Sequence, residues 1–527
     1  MSTPEVVIGL IFVATILAAL AQRIGVAYPI VLVLGGLLIS LVPGMPTVQL
    51  DPEVAFLVFI PPLVYLPASQ IGLRDVQSKW SFILMLSVGL VLATLFGVAA
   101  LAHSMIAGFS WSTSFLLAAI VAPTDLIAVM AITRRNPLPR RIVNVLDGEG
   151  LLNDVIAFTA YKIAVQSVAQ TAYGVPETVL QLAWDLVAGI GAGLAVGWVA
   201  IWVRRRVHDP AINSAASLLT SFAAYLTSEA IGGSGVLATV TAGLCVGQSL
   251  SRILQPDARQ STTAFWGGLN FILEGLAFIL IGFELRPTLA RLSLVSPWQL
   301  ARDAALVTGA VIALRVIWVV ATIAVLRFIG SAFKTSQPRP SWRNAAIVAW
   351  AGPRGIESLA AAIGIPLLLP DGVSPFPQRE MILFLSFGVI LSTLLFQGAT
   401  LPCLIRWLKP PSDNSEQEEE NLAHLAAARA ALDVLNHPLQ TGDDLADVVP
   451  SLRSLYEQKV LQYENAASEL NRLRDAPLLT TSTTLRLKIL HAQREAVIAL
   501  RDQGLISMSV LRRLERSFDL EEIRLTS

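Results

Sequence analysis

The chain alternates long apolar runs with short polar segments from residue 5 to residue 408. Runs of roughly 17 to 25 apolar residues have the length that an α-helix needs to cross the hydrocarbon core of a membrane. The pattern predicts thirteen spans, and the short GGSG turn after the eighth leaves a count of twelve as the alternative. In chain order the predicted spans are residues 5–22, 26–43, 54–70, 81–102, 111–133, 142–167, 178–203, 213–231, 234–250, 263–285, 300–328, 342–367 and 379–408.

Composition supports a membrane protein and separates the C-terminal part of the chain. Of the 527 residues, 54% are hydrophobic and 14% are charged, and the charged share is well below that of ordinary soluble domains. Two prolines and an acidic run follow the last span, and amphipathic helical stretches come after them. We therefore predict an all-α polytopic membrane domain over residues 1–409 and a cytoplasmic helical tail over residues 410–527. The tail either regulates the membrane domain or is a solvated appendage, and its sequence names no partner.

The positions of Lys and Arg in the loops predict the orientation of the chain. Counted in order, the odd loops carry sixteen of these residues and the even loops four. Short cytoplasmic loops retain positive charge, so the odd loops are expected inside, the N-terminus outside and the C-terminus in the cytoplasm. The odd-loop residues are Arg23, Arg74, Lys79, Arg134, Arg135, Arg140, Arg141, Arg204, Arg205, Arg206, Arg252, Arg259, Arg327, Lys334, Arg339 and Arg343.

Ionisable residues inside the predicted spans are the strongest functional signal. Each costs about 2.5 to 3.5 kcal/mol near the centre of a membrane helix, so several together are expected to serve a function. Spans five, six and twelve contain the motifs "APTD", "GEGLLND" and "AGPRGIES". In spans five and twelve a proline near the charged residue removes a backbone donor, so we expect these helices to be broken there. Secondary transporters build ion sites from broken helices with polar groups at the break. The residues in question are Asp125, Glu149, Asp154, Lys162, Asp185, Glu229, Glu274, Arg315, Arg354 and Glu357.

Charge balance suggests roles for these side chains. An arginine in span twelve requires a counter-charge, and Glu149 is the expected partner of Arg354. Asp154 then remains as a free carboxylate near Asp125. A carboxyl group removed from water can hold either a proton or a hard cation, which is the minimum chemistry of a cation/proton exchanger. Arg315 is expected to be an interhelical partner or a fixed charge that balances one of the aspartates.

Other functional classes lack their motifs. The sequence contains no phosphate-binding P-loop, no Gly-rich dinucleotide loop and no metal-ligating His cluster, so neither an enzyme nor an ATP-driven pump is expected. No cofactor is expected, and membrane lipid rather than nucleic acid is the expected environment. Selectivity-filter repeats are absent, and broken helices favour alternating access over a continuous pore, so a cation channel is the weaker alternative.

Five motifs in order resemble the NhaP-type bacterial Na⁺/H⁺ antiporters of the cation:proton antiporter-1 family. They are "APTD", "GEGLLND", "SGVLATVTAGLCVG", "LIGFEL" and "AGPRGIESLAAA", and the tail segment "LRDQGLISMSVLRRLERSFDLEE" is similar to tails of bacterial members. The resemblance covers essentially the whole chain. It implies two inverted six-helix repeats joined by span seven, a dimerisation domain and a moving core domain in a homodimer, and unwound crossing helices in spans five and twelve.

The resemblance also implies roles for single residues. Asp154 would bind the proton or Na⁺, with Asn153 and Asp125 holding and orienting the site and the carbonyl of Thr124 as a ligand. Glu149 and Arg354 would form a structural ion pair. An Asn before the transport Asp is typical of electroneutral members. The implied activity is exchange of Na⁺ or Li⁺ for H⁺ across the bacterial inner membrane, in pH and sodium homeostasis.

Three departures from the family pattern leave the cation open. Gly150 stands where many members have a Ser ligand, and Leu66 stands where many have an acid. Glu357 replaces an apolar residue beside Ser358, and it either lines the ion route or pairs with Arg354 three residues earlier. A K⁺/H⁺ antiporter of the same fold is therefore the nearest alternative.

Overall fold

The structure is built almost entirely from α-helices joined by short loops, within the residues that it describes. The computed structural model describes residues 3–24, 26–42, 51–72, 80–133, 138–169, 175–332, 341–410, 415–436, 448–464 and 483–526. Within these ranges the one β feature is an isolated bridge between Leu368 and Pro375. Six of the loop cations that predict orientation lie outside the described residues: Arg74, Lys79, Arg134, Arg135, Lys334 and Arg339.

Within the described ranges, fifteen helices precede the tail and four lie within it. The first fifteen are α1 (Thr3–Ile24), α2 (Tyr28–Ser40), α3 (Pro52–Gln70), α4 (80–105), α5 (Trp111–Val121), α6 (Leu126–Thr133), α7 (Arg140–Ala169), α8 (Val175–Arg204), α9 (Pro210–Ala230), α10 (Gly235–Ile253), α11 (Pro256–Arg291), α12 (Pro297–Ala332), α13 (Trp342–Trp350), α14 (Ile356–Ile363) and α15 (Arg379–Leu408). The tail helices are α16 (Ser415–Asn436), α17 (Val448–Glu464), α18 (Thr483–Asp502) and α19 (Met508–Thr526).

Length and composition identify which helices can cross a membrane. Among the described residues, nine stretches are long and apolar enough, and one of them is α5 together with α6. The helix α7, which carries Glu149 and Asp154, is not among the nine. The GGSG segment separates α9 from α10, and Gly232 there has a φ of +74°, a conformation that favours glycine.

Several helix ends follow from local sequence. Asp209 accepts hydrogen bonds from the backbone N–H groups of residues 211 and 212, and Pro210 occupies the first position of α9. Ser234 caps α10 in the same way, and Ser110 caps α5. Such side chains satisfy N–H groups that have no partner within the helix.

The helices pack into two groups that meet at one interface. The scaffold group consists of α1–α3 and α8–α11, with close pairs α2 with α11 and α10 with α3 and α8. The crossing group consists of α4–α7 and α12–α15, in which α5 packs on α4 and α7 while α12 packs on α4. The helices α14 and α15 of the crossing group contact α3 and α11 of the scaffold group. The interface therefore runs past the breaks in the crossing group.

Glycines allow backbone contact inside the scaffold group. A Cβ atom on Gly36 of α2 would lie 2.1 Å from the carbonyl oxygen of Ile279, and one on Gly282 of α11 would lie 2.0 Å from that of Val33. A Cβ on Gly247 of α10 would meet the carbonyl oxygen of Ser69 at 2.1 Å. Apolar association supplies little net energy in lipid, so close packing between small residues is the expected source of helix association.

The tail helices dock on the scaffold group. In α19, Asp519 accepts hydrogen bonds from Arg259 of α11 at 2.6 and 2.9 Å, and Glu515 lies 3.7 Å from the same guanidinium. Arg512 donates to the carbonyl oxygen of Ser69 at the end of α3, at 2.6 Å. Burial raises the pKa of the Glu515 carboxyl group, and the positive charge of Arg259 opposes this rise. The described contacts thus fasten the end of the chain to α3 and α11.

The glycine contact between α2 and α11 predicts a selective loss of stability. We expect Gly282→Ala to destabilise the protein by about 1 to 3 kcal/mol or more, because its Cβ would overlap a backbone carbonyl that cannot move freely. The thermal midpoint of the detergent-purified protein, followed by size-exclusion chromatography, measures this effect. Gly275→Ala on the same helix is the matched control, since its Cβ would make an ordinary contact at 3.5 Å. Equal midpoints for the two variants would contradict the packing.

The docking of α19 predicts a change in the protease sensitivity of the tail. Asp519→Asn removes a carboxylate that accepts from both Arg259 and Arg494, so these cations lose a buried partner. We expect trypsin to cleave the tail of the full-length protein several-fold faster, as followed by gel electrophoresis. Asp502→Asn, which removes an exposed pairing with Arg252, is the control and should have little effect. An unchanged cleavage rate for Asp519→Asn would argue against this docking.

Candidate functional site

Two broken helices cross at the centre of the crossing group. The helix α5 ends at Val121 and α6 begins at Leu126, whereas α13 ends at Trp350 and α14 begins at Ile356. Pro123 and Pro353 lie in the two breaks, where each proline removes a backbone donor. The backbone N–H of Asp125 donates to the carbonyl oxygen of Pro353 at 2.9 Å, so the two breaks are joined directly. The predicted breaks in these two stretches are therefore present.

Asp125 holds the crossing together. One carboxyl oxygen accepts from the backbone N–H of Ala128 at 2.8 Å, and the other accepts from that of Ile356 at 3.3 Å. The side chain thereby caps α6 and α14 at once, where the positive ends of both half-helices favour a negative charge. A Cβ atom on Gly355 would lie 1.7 Å from this carboxylate, so glycine is required for the close approach.

Glu149 of α7 pairs with Arg315 of α12. The guanidinium meets both carboxylate oxygens of Glu149, with Nη2 to Oε2 at 3.1 Å, and both side chains are fully buried. The same Nη2 also donates to the carbonyl oxygens of Val348 and Ala351 at the end of α13. A bidentate contact of this kind is geometrically specific and tolerates burial. Arg315 therefore connects α7 to the second break.

The predicted ion pair between Glu149 and Arg354 is wrong. Arg354 is buried, but its Nη1 donates to the carbonyl oxygen of Pro123 at 3.0 Å, and its backbone N–H donates to Thr393 Oγ1 at 3.0 Å. The carbonyl oxygen of Pro123 lies in the break between α5 and α6, and Arg354 donates to it there. Arg315 had been expected only as an interhelical partner or a balancing charge, and it fills the place given to Arg354.

A chain of polar contacts links Glu149 to Asn153. The hydroxyl of Thr124 donates to Glu149 at 3.5 Å and accepts from the Asn153 amide at 3.3 Å. The same amide reaches the carbonyl oxygen of Ala122 at 3.5 Å. The structure therefore brings Thr124, Glu149 and Asn153 together.

Next to these polar contacts, Asp154 has a carboxyl oxygen without a hydrogen-bond partner among the described residues. Its Oδ1 is buried and has no hydrogen-bond partner among the described residues, and the same is true of Oδ1 of Asn153. The negative charges of Asp125 and Glu149 lie close enough to repel a negative charge on the Asp154 carboxyl group. Unsatisfied buried oxygens are uncommon in folded proteins and require an explanation such as a bound ion. The unpaired oxygens of Asp154 and Asn153 are therefore free to bind a small cation or a proton.

Glu357 and Ser358 lie in the first turn of α14, beside the crossing. Glu357 is 6% exposed, and neither its Oε2 nor the hydroxyl of Ser358 has a partner among the described residues. The negative charges of Asp125 and Asp154 act on Glu357. No ion pair with Arg354 is formed, so the pairing alternative for Glu357 is not the one that the structure contains.

The sequence reading missed two supporting residues. Thr393, at the start of a π-helical turn in α15, accepts from Arg354 and fixes the second break. Tyr28 of α2 donates a hydrogen bond to Glu274 of α11, whose charge acts on Glu357 across the interface between the groups. In the sequence, each is a polar residue within an apolar run, and such residues are too common to be singled out as functional.

Gly150 faces open space. A Cβ atom at this position would have no atom within 4 Å, so a side chain such as the Ser of many members of the resembling family would fit here without a clash. Lys162 lies further along α7 and donates to the carbonyl oxygen of Gly233 and to Glu229 of the scaffold group. It therefore contacts the other helix group rather than the crossing.

Comparison with known proteins identifies the family. The family model described as "Sodium/hydrogen exchanger, transmembrane" matches residues 9–407. An uncharacterized Na⁺/H⁺ exchanger of Mycobacterium tuberculosis is 34% identical, over 98% of this chain and 96% of the relative. A sodium, potassium, lithium and rubidium/H⁺ antiporter of Bacillus pumilus is 31% identical, over 71% of this chain and 57% of the relative.

A solved structure supports the fold. The sodium proton antiporter MjNhaP1 of Methanocaldococcus jannaschii at pH 8 aligns with a TM-score of 0.59 and 18% identity, over 78% of this chain and 100% of that chain. At this identity the likeness concerns the fold alone. Taken with the broken-helix crossing and the family match, these findings show that the chain belongs to the sodium/hydrogen exchanger family and is a multi-pass membrane antiporter, not an enzyme.

Proposed function

We propose that the protein exchanges Na⁺, or Li⁺, for H⁺ across the cytoplasmic membrane, one for one and by alternating access, in pH and sodium homeostasis. The observation that carries this proposal is the unpaired carboxyl oxygen of Asp154, buried beside the two broken helices. A single carboxylate that alternates between one proton and one monovalent cation moves no net charge. Na⁺ is the substrate here, and the protein requires no cofactor for the exchange.

The neighbouring residues prepare Asp154 for this exchange. Asn153 provides a neutral amide at the adjacent position, so it adds an oxygen without adding a charge. Asp125 holds the two half-helices through their backbone N–H groups, and Thr124 lies in the first break, where its carbonyl oxygen is a proposed ligand. Hard cations prefer such oxygen ligands. When Na⁺ binds, the proton on Asp154 leaves to water, and the reverse step restores it.

We propose thirteen spans in two inverted six-helix repeats joined by α8. The breaks between α5 and α6 and between α13 and α14 support this arrangement, since the two broken spans are seven apart in order. The N-terminus is then outside and the C-terminus in the cytoplasm. The crossing group is the moving core, and the scaffold group forms the homodimer. Exposed apolar side chains on α8, such as Trp184, Val187 and Trp198, supply a surface for lipid or a second copy.

We propose that residues 410–527 form a cytoplasmic domain that regulates exchange. In support, the contacts of α19 with Arg259 and with the end of α3 reach the scaffold group directly. The small core of the tail contains Ala423, Val497 and Leu511, which are all buried. A domain with its own core and a fixed attachment can transmit a binding event to the membrane helices.

The second candidate is K⁺/H⁺ exchange at the same site. In support, Gly150 supplies no side-chain oxygen where many members of the resembling family carry a Ser ligand, and selectivity depends on the set of ligands. A relative's name also lists potassium together with sodium, lithium and rubidium. A cation channel is the weaker alternative, because broken crossing helices fit alternating access rather than a continuous pore.

Removing the exchangeable carboxyl group tests the proposal. We expect Asp154→Asn to abolish cation/proton exchange, because the amide can neither release a proton nor balance a cation. The measurement is dequenching of a pH-sensitive dye in inverted vesicles after separate additions of Na⁺, Li⁺ and K⁺. Asp371→Asn, in an exposed loop, is the control and should behave as wild type. Normal exchange by Asp154→Asn would refute the assignment, and an electrical current under a Na⁺ gradient would indicate a channel.

The assigned ion pair predicts a pattern of coupled stabilities. We expect Glu149→Gln to destabilise the protein strongly, since breaking a buried pair costs about 3 to 5 kcal/mol. Adding Arg315→Gln should recover part of this loss, because the uncompensated charge is then removed. Adding Arg354→Gln instead should worsen it. Thermal midpoints of the purified variants measure both combinations. If Arg354→Gln and not Arg315→Gln recovered stability in the Glu149→Gln background, the pairing of Glu149 with Arg354 would be favoured instead.

A further inference from the structure

Six ionisable side chains meet at the crossing, five of them buried and that of Asp154 half-buried, and their charges do not balance. Two are arginines and four are carboxylic acids, so full ionisation would leave two uncompensated negative charges. Net charge is costly inside a membrane, and it would also oppose movement of the crossing group. All six lie on that group: Asp125, Glu149, Asp154, Arg315, Arg354 and Glu357.

Two of the carboxylates have cationic or dipolar partners. Glu149 is held by Arg315 in a bidentate pair. Asp125 accepts hydrogen bonds from two half-helix N-termini, and Arg354 lies in the same crossing, bonded to the carbonyl oxygen of Pro123 two residues before Asp125. Assigning the two arginines in this way makes these four groups neutral together.

Asp154 and Glu357 then remain without a counter-charge. Each has a carboxyl oxygen that is buried and unpartnered among the described residues. They differ in accessibility, because Glu357 is 6% exposed whereas Asp154 is only partly buried. Glu274 also acts on Glu357, but it belongs to the scaffold group and is held by Tyr28. Of the two unpaired acids, Asp154 therefore has the less buried side chain.

We propose that Glu357 keeps its proton throughout the transport cycle and offers Na⁺ a neutral carboxyl oxygen, while Asp154 alone exchanges its proton. This inference rests on the proposed function and specifies how the site stays electroneutral. On binding, the O–H bond of Asp154 breaks, its proton leaves to water, and the carboxylate contacts Na⁺. The O–H bond of Glu357 remains intact. The six groups then carry zero net charge with a proton on Asp154, and the six groups together with Na⁺ carry zero net charge once Na⁺ has replaced that proton.

The proposal explains why an acid is tolerated at the start of α14. An ionised Glu357 would add a second negative charge beside Asp125 and Asp154, whereas a protonated one adds only an oxygen ligand. Gly150 provides no side-chain oxygen, so the site has one oxygen ligand fewer than in the many members of the resembling family that carry a Ser there. Glu357 therefore acts on cation affinity and not on the number of protons exchanged.

Proton release upon Na⁺ binding tests the proposal directly. Purified full-length protein in weakly buffered detergent solution is titrated with NaCl, and a pH indicator counts the protons released for each Na⁺ bound. We expect one proton per Na⁺ in the wild type and in Glu357→Gln, since glutamine mimics a protonated glutamate. Two protons in the wild type and one in Glu357→Gln would overturn the proposal. Asp154→Asn should release none, and release by that variant would refute the proposed function itself.

Transport in vesicles supplies the second arm. We expect Glu357→Gln to keep the pH dependence of exchange and to produce no current, while its half-maximal Na⁺ concentration rises less than that of Glu357→Leu because the amide keeps an oxygen. Glu357→Leu removes the oxygen, so its half-maximal Na⁺ concentration should rise at least about tenfold, a loss typical of disturbed metal sites. A current or a shifted pH profile in Glu357→Gln would overturn the proposal, as would unchanged Na⁺ affinity in a folded Glu357→Leu.

Discussion

The contact between the two helix breaks is the constraint on which the rest of the site depends. The backbone N–H of Asp125 bonds to the carbonyl oxygen of Pro353, and the Asp125 carboxylate bonds to the start of α14. Each break exposes backbone groups that hydrocarbon cannot satisfy. By satisfying one another, the two breaks hold an irregular backbone at membrane depth. Arg315 and Arg354 complete this arrangement by donating to carbonyl oxygens at the ends of the half-helices.

The two helix groups divide the work of rigidity and exchange. The scaffold group owes its packing to glycines at which helix backbones touch, as between α2 and α11. The crossing group contains all six ionisable residues of the site, and its charges are compensated mainly within the group. A neutral body can move past a rigid one without transferring charge between them. This division is consistent with the proposed exchange by relative movement of the two groups.

Much of the fold could be predicted from the sequence, because membrane helices are dictated by local composition. The apolar runs located the helices, and Pro123 and Pro353 located the breaks. The site was predictable in its membership, since the buried acids and amides of α7 are expensive in lipid and stand out. The pairing of Glu149 was not predictable. Two arginines in separate spans were both plausible partners, and sequence separation carries no information about which guanidinium lies nearer.

The sequence by itself determined the class of the protein, the position of its helices and the identity of Asp154, Asn153 and Thr124 as candidate site residues. These follow from the cost of polar groups in hydrocarbon, which depends on each residue and its immediate neighbours. Only the tertiary structure decided that Asp125 caps two half-helices, that Arg315 rather than Arg354 compensates Glu149, and that Glu357 remains unpaired. Hydrogen bonds require atoms within about 3.5 Å in a favourable direction, and only the packed helices fix those distances.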